Sequence, residues 1–113
     1  MLHLLGIKNC NRIRDTKKWL EDHKVDYAFV DVKKDPLNKD ELDELRIKVG
    51  LDTLINRKGM KWRQMGLKDQ NLSDDELFDV LLENQTMIKR PVLIKGDAVL
   101  VGYDEASFEA FVK

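Results

Sequence analysis

The first third of the chain shows a strand pattern, a helix pattern and a second strand pattern in direct succession. Residues 2–7 are mostly apolar, which predicts a short buried strand. In residues 12–23 the apolar positions recur at helical spacing, which predicts an amphipathic helix. Residues 25–32 alternate between two faces and predict a second strand, which Lys33-Lys34-Asp35-Pro36 ends.

The middle of the chain, approximately residues 38–88, is predicted to be a helical insert. Asn38 or Asp40 can cap a helix with apolar positions at Leu42, Leu45, Ile47 and Val49, and Gly50 is expected to end it. Residues 51–55 are short and apolar, and residues 60–67 are predicted to form one or two helical turns. Ser73 and Glu76 have the spacing of a capping box, which predicts a helix with an apolar face of Leu77, Phe78, Leu81 and Leu82.

The end of the chain predicts a hairpin and a final helix. Two β-branched runs, residues 92–94 and 98–101, flank Lys95-Gly96-Asp97, and Asp104 can cap a helix carrying Phe108, Phe111 and Val112. The whole order is β-α-β, a helical insert, then β-β-α, which is the order of the thioredoxin-like fold in the α/β class. A proline directly before the third strand of that fold is commonly cis, so we expect a cis peptide bond at Pro91.

Composition narrows the class of protein. A chain of 113 residues suggests a single domain spanning residues 1–113. The net charge of −1, with 36% charged residues, argues against direct nucleic-acid binding. The sequence shows neither a signal peptide nor an apolar run long enough for a membrane span, so we expect a cytoplasmic protein without a membrane partner. One cysteine and two histidines without ligand spacing predict no metal site and no bound cofactor.

Cys10, the only cysteine, lies where a reactive thiol would be placed. It lies between the first predicted strand and the first predicted helix, where free backbone N–H groups and the helix dipole favour a thiolate. Lys8, Arg12 and Arg14 add positive charge within a few residues. The alternative is a small buried hydrophobic residue, which is the common role of a lone cysteine.

Several separated motifs resemble those of the arsenate reductase/Spx family. They are Gly6-Ile7-Lys8-Asn9-Cys10, Gly66-Leu67, Ser73-Asp74-Asp75-Glu76-Leu77 and Arg90-Pro91-Val92-Leu93-Ile94. A further segment, Gly102-Tyr103-Asp104-Glu105, is similar to one in the small YffB-type members. The resemblance covers nearly the whole chain and implies a thioredoxin-like ArsC/Spx-family domain.

The resemblance also implies catalytic roles. In the arsenate reductases one cysteine thiolate attacks arsenate, arginines hold the oxyanion, glutathione takes up the adduct and a glutaredoxin helps to reduce it. By this resemblance Cys10 is the nucleophile, Arg90 is one arginine and Arg57 is a second, with Arg63 near enough in sequence to take the place of Arg57. The third arginine has no counterpart, because this chain reads Val101-Gly102-Tyr103 where the arsenate reductases place that arginine. The sequence therefore disfavours arsenate itself as the substrate.

The predicted activity is a glutathione-coupled thiol oxidoreductase that uses a single nucleophilic cysteine. Its substrate would be a small oxyanion or an oxidised thiol, with glutathione as co-substrate and a glutaredoxin as a candidate partner. Asn9, Arg12 and Pro91 are predicted to bind substrate or glutathione. Turn chemistry explains Asn9 equally well, and a solvated helix position is the simpler explanation for Arg12.

A binding module is the alternative to an enzyme. The resemblance to Spx implies a regulator that binds the RNA polymerase α subunit without catalysis. Many Spx proteins carry a Cys-x-x-Cys switch, but Ile13 occupies the fourth position of that motif here. An intramolecular redox switch is therefore impossible in this chain.

Overall fold

Four strands and six helices make up the chain, and the computed structural model describes all 113 residues. The strands are β1 (Leu2–Gly6), β2 (Tyr27–Asp31), β3 (Val92–Lys95) and β4 (Ala98–Val101). The helices are α1 (Asn11–Asp22), α2 (Lys39–Val49), α3 (Leu51–Leu54), α4 (Met60–Gln64), α5 (Asp74–Glu83) and α6 (Glu105–Val112). Short 3₁₀ turns follow at Leu67–Asp69 and Gln85–Met87. The order matches the predicted thioredoxin-like arrangement.

The chain divides into two compact units. The first contains Met1–Asp35 and Arg90–Lys113, and therefore holds all four strands with α1 and α6. The second contains Pro36–Lys89 and holds α2 to α5. The predicted helical insert of residues 38–88 lies within this second unit.

The first unit is built on a sheet with the strand order β2-β1-β3-β4. β1 pairs in parallel with β2, and β3 pairs antiparallel with both β1 and β4. Side chains from β1, β3, α1 and α6 form one buried cluster: Leu2, Leu4, Ile13, Trp19, Leu20, Leu93 and Phe108. Because one cluster contains both helices, α1 and α6 pack on the same face of the sheet.

Gly6 lets α1 pack closely against the end of β1. A Cβ at this position would lie 2.1 Å from Cδ1 and 2.5 Å from Cγ1 of Ile13, which is only 2% exposed. These distances are too short for any carbon–carbon contact, so a larger residue forces Ile13 out of its place. Gly6 therefore sets how near the start of α1, and Cys10 with it, lies to the sheet.

We expect Gly6→Ala to destabilise the protein by about 1–3 kcal/mol, the usual cost of overpacking a core. Urea denaturation measures the free energy of unfolding. Ile13→Ala removes the clashing atoms, so adding Gly6→Ala to that variant should cost much less than adding it to the wild type. Strictly additive effects in this double-mutant cycle would contradict the close approach.

The second unit contains two capping boxes: the predicted one at Ser73, and one at Asn38, which the sequence predicts only as one of two candidate cap residues. The Asn38 side chain accepts from the backbone N–H of Glu41, and Ser73 accepts from that of Glu76; each glutamate accepts from the cap residue in return. The hydrogen bond from the Ser73 backbone N–H lowers the pKa of Glu76. Gly50 ends α2 with a φ of +86°.

Some local predictions are wrong. Ile47, which the sequence predicts on the apolar face of α2, is 74% exposed, because it lies two positions after Leu45 and so on the opposite side of a helix with about 3.6 residues per turn. The second strand is shorter than predicted and spans Tyr27–Asp31. Asp104 is the first flanking residue of α6, but its carboxylate accepts from the Ser107 hydroxyl, at 2.7 Å, and not from a helix backbone N–H.

Candidate active site around Cys10

One edge of the sheet collects the segments that carry most of the predicted site residues. β1 ends at this edge, and the antiparallel β3 begins there, since Leu5 of β1 pairs with Val92 of β3. The segment before Cys10 and the Arg90–Pro91 segment are therefore neighbours at this edge. The Arg90–Pro91 peptide bond is cis, as the order of elements predicts. The carbonyl of Pro91 accepts from the N–H of Gly102, at 2.8 Å, which brings the end of β4 to the same place.

Cys10 is the N-terminal flanking residue of α1. Its carbonyl accepts from the backbone N–H of Arg14, at 2.9 Å, and its thiol is partly exposed and packs against the buried cluster of the first unit. No side chain caps this end of α1, and its first turn contains no acidic residue. The free N–H groups and the dipole of α1 therefore stabilise negative charge beside Cys10.

Asn9 shapes the turn that presents the thiol. Its φ is +66°, in the left-handed region that asparagine tolerates better than most residues. The exposed side chain of Asn9 also lines the cleft that holds Cys10. The backbone of Asn9 therefore forms the turn before Cys10, and its side chain is placed to contact a ligand in the cleft.

A cleft of about 560 Å³ opens beside Cys10 along α1. It is lined by Lys8, Asn9, Cys10, Ile13, Arg14, Lys17, Lys18, Glu21 and Asp22. Arg12 and Pro91, which the sequence predicts to bind ligand, are not among the lining residues. The sequence prediction did not include Lys17 in the site. The signal was present, because positions 10, 14, 17 and 21 follow the spacing of one helix face.

Tyr27 holds the distal end of this cleft. Its hydroxyl donates to the carboxylate of Glu21, at 2.8 Å. Burial raises the pKa of Tyr27 to about 12, and the hydrogen bond to Glu21 acts in the same direction. Tyr27 therefore stays a hydrogen-bond donor throughout the neutral range.

Arg90 carries the only buried side-chain nitrogen or oxygen atom without a hydrogen-bond partner, its Nη1. A buried guanidinium nitrogen without an acceptor is costly, because it has lost its water and gained nothing in exchange. Native proteins contain few such atoms, and a catalytic role or a bound ion is among the explanations for them. Its position at the end of the sheet where β1 leads to Cys10 makes Arg90 a candidate anion-binding group.

Arg12 lies on the flank of α1 that faces the end of β4. Its guanidinium carbon is 5.4 Å from the centre of the Tyr103 ring, within the range of a cation–π contact. The Tyr103 ring packs edge-on against Phe108, and its hydroxyl donates to Glu105. Burial raises the pKa of Tyr103, and the Glu105 hydrogen bond adds to this. Tyr103 thus holds Arg12 near the segment where the arsenate reductases carry their third arginine and this chain does not.

Arg57 and Arg63 belong to the second unit. The guanidinium of Arg57 donates to Asp52, at 2.5 Å, and lies 5.3 Å from the centre of the Trp62 ring. Arg63 donates to the carbonyl of Lys58, at 2.8 Å. A role for either arginine at the thiol therefore stays a prediction.

The structure offers neither a cluster of metal ligands nor a helix fit to span a membrane. No group of three or more histidine, cysteine, aspartate and glutamate side chains is arranged to hold a metal ion. None of the helices has the length and apolar character that crossing a membrane requires.

Known proteins with the same architecture are numerous. A solved structure of the YFFB protein superposes with a TM-score of 0.92 at 31% identity and covers all of both chains. The solution structure of an arsenate reductase (ArsC) related protein from Brucella melitensis has a TM-score of 0.80 at 34% identity, and covers 99% of this chain and 94% of that one. The structure is therefore the thioredoxin-like fold of the ArsC proteins.

Relatives among known sequences also span the chain. The uncharacterized protein YusI of Bacillus subtilis is 38% identical over 104 residues, 88% of each chain. The global transcriptional regulator Spx of Listeria innocua is 25% identical over 114 residues, 99% of this chain and 87% of that protein. The model of the ArsC family matches residues 5–111, which includes every residue of the candidate site. This chain belongs to the ArsC family.

Proposed function

We propose that this protein is a glutathione-coupled thiol oxidoreductase with Cys10 as its only nucleophile. The observation that carries the proposal is the arrangement at one sheet edge: an uncapped helix start with a partly exposed thiol, beside a segment whose Arg90 Nη1 is buried without a partner. A partly exposed thiol and an unpaired cation at one edge suit an anionic or oxidised sulfur substrate. Membership of the ArsC family, with its arsenate reductase-related structures, supports a reaction at the thiol.

The reaction we propose proceeds by thiol–disulfide exchange. The Cys10 thiolate attacks one sulfur of a disulfide substrate, forms a mixed disulfide and releases the other half as a thiolate. A glutathione thiolate then displaces the remaining half, which leaves glutathione on Cys10. A second glutathione attacks that glutathione sulfur, so that oxidised glutathione leaves and the Cys10 thiolate is restored. The substrate disulfide gains two electrons and two glutathione molecules supply them.

The external thiol is a requirement of this proposal. Cys10 is the only cysteine, and the position that carries the second cysteine in a Cys-x-x-Cys motif is the buried Ile13. No thiol of the same chain can resolve the mixed disulfide. Glutathione, with or without a glutaredoxin, supplies the resolving thiol in our proposal.

Arsenate is a poor candidate substrate under this proposal. The resemblance implies three arginines for arsenate, and the chain has glycine and tyrosine, Gly102 and Tyr103, where the third would lie. Arg12, held over the Tyr103 ring, is the cation of the first unit that contacts this segment. We therefore favour an oxidised thiol as the substrate.

The proposal is tested by treating the wild-type protein with oxidised glutathione. Intact mass spectrometry should show one adduct of about 305 Da, because exchange adds one glutathione less a hydrogen. Reduced glutathione should then remove the adduct. If small alkylating agents react with Cys10 but no adduct forms, glutathione coupling is wrong.

A Spx-like role is the second candidate, because proteins named as the global transcriptional regulator Spx match over 99% of this chain. Under this alternative the protein would bind the RNA polymerase α subunit without catalysis. A binding measurement with purified α subunit separates the two. Tight binding that does not change in Cys10→Ser, together with no glutathione-coupled turnover, would favour the regulator over the enzyme.

A further inference from the structure

The cleft beside Cys10 lies on the β2 side of α1. The Lys17 Nζ, in the cleft lining, is 3.8 Å from the centre of the Phe29 ring, and Phe29 belongs to β2. Glu21, also in the lining, accepts from Tyr27 of the same strand. Arg12 faces the other way, toward Tyr103 after β4. Since β2 and β4 are the two outer strands, the cleft and Arg12 lie on opposite flanks of α1.

The thiol lies at one end of this cleft. Cys10, Arg14, Lys17 and Glu21 are spaced to follow one face of α1. With a rise of about 1.5 Å per residue, the positions from 10 to 21 extend for about 16 Å. A ligand with its sulfur at Cys10 would therefore have its other groups beside Arg14 and Lys17.

The charges of the cleft are divided unevenly. At the end of the cleft farthest from Cys10, Lys18 forms a salt bridge with Asp22, at 2.9 Å, and Glu21 accepts a hydrogen bond from Tyr27. Elsewhere in the cleft, Lys8, Arg14 and Lys17 are lining residues and none forms a salt bridge. These three cations are therefore left without a protein carboxylate.

Lys17 and Arg14 are held in place without being neutralised. Lys17 is positioned by the face of the Phe29 ring, a contact that orients the ammonium group but leaves its charge available. Arg14 donates to the side-chain oxygen of Asn11, which is a neutral acceptor and leaves donors of the guanidinium fork free. Both side chains are therefore preorganised to bind carboxylate groups.

We propose that this cleft binds the carboxylates of a small peptidic disulfide, with Arg14 and Lys17 as the residues that select it. The proposal rests on the proposed function, because the sulfur of the bound ligand must react with Cys10. Glutathione disulfide has this chemistry, since each half carries two carboxylates on a chain that extends from the sulfur. In the exchange step the Cys10–sulfur bond forms, the sulfur–sulfur bond of the ligand breaks, and the departing half leaves as a thiolate.

The test compares two disulfides on the same variants. The rate of mixed-disulfide formation at Cys10 is measured with glutathione disulfide and with the neutral 2-hydroxyethyl disulfide, and their ratio is the selectivity. Arg14→Gln and Lys17→Gln should each lower the selectivity about 3- to 10-fold, the range for losing a charge-assisted bond at a partly exposed site. The ratio isolates carboxylate binding, because any change in the reactivity of the Cys10 thiol alters the rates with both disulfides alike.

Lys24→Gln is the matched control. Lys24 is exposed, lies beyond α1 and does not line the cleft, so the same charge change should alter the selectivity less than about twofold. If the selectivity falls equally in all three variants, the effect is a general charge attraction and the proposal is wrong. The proposal is also wrong if Arg14→Gln and Lys17→Gln keep the wild-type selectivity while both disulfides still react with Cys10. A wild type that reacts with neither disulfide would instead overturn the proposed function.

Discussion

Cys10→Ser is expected to reduce glutathione-coupled disulfide reduction to the rate measured without protein. The reaction requires a sulfur nucleophile, and the variant has no thiol at all because Cys10 is the only cysteine. A serine hydroxyl cannot form the mixed disulfide on which every later step depends. The measurement is turnover of a small disulfide with glutathione, coupled to glutathione reductase and followed by NADPH absorbance.

The fold of this variant should be retained. Cys10 is only partly buried, and serine is close to cysteine in volume. Thermal unfolding should therefore stay near that of the wild type, which separates loss of chemistry from loss of structure. Cys10→Ala serves as a second variant and should behave in the same way. Substantial turnover in either variant would show that the reaction does not pass through Cys10.

Arg90→Ala is expected to lower the same turnover by about 10²- to 10³-fold, the usual cost of removing one preorganised donor from a charge-stabilising site. The physical reason is that Arg90 Nη1 is buried without a partner in the free protein, so an anionic group of the substrate would satisfy it. Arg90→Lys should restore only part of the rate, because an ammonium group lacks the planar fork of a guanidinium.

The Arg90→Ala variant should not lose stability, although it should lose activity. The alanine variant removes a buried donor that has no acceptor, so its free energy of unfolding should be equal to or greater than that of the wild type. Lys89→Ala is the matched control: it removes the neighbouring positive charge from an exposed side chain and should change turnover less than about twofold. A large loss of stability with unchanged turnover in Arg90→Ala would identify a structural arginine.

The sequence was sufficient for features that depend on neighbouring residues. The capping box at Ser73 forms as predicted, and Asn38, one of the two predicted candidates, caps α2, because capping needs only residues within three positions of one another. The hairpin of β3 and β4 follows from its turn, and α1 begins directly after Cys10. The order of the predicted elements gives the thioredoxin-like arrangement and the cis bond before Pro91, both of which the structure contains.

The tertiary structure decided everything that depends on residues distant in the chain. The sequence places Lys17 only within the helix pattern; its place in the cleft that holds Cys10, over the Phe29 ring, results from β2 packing next to α1. The sequence likewise placed Arg12 near the thiol, whereas the structure turns it toward Tyr103, more than ninety positions away. The unpaired nitrogen of Arg90 could not be predicted either, because burial and missing partners are properties of the packed chain. Periodicity and capping are encoded within a few residues, but the contacts that surround a reactive group exist only once distant segments have come together.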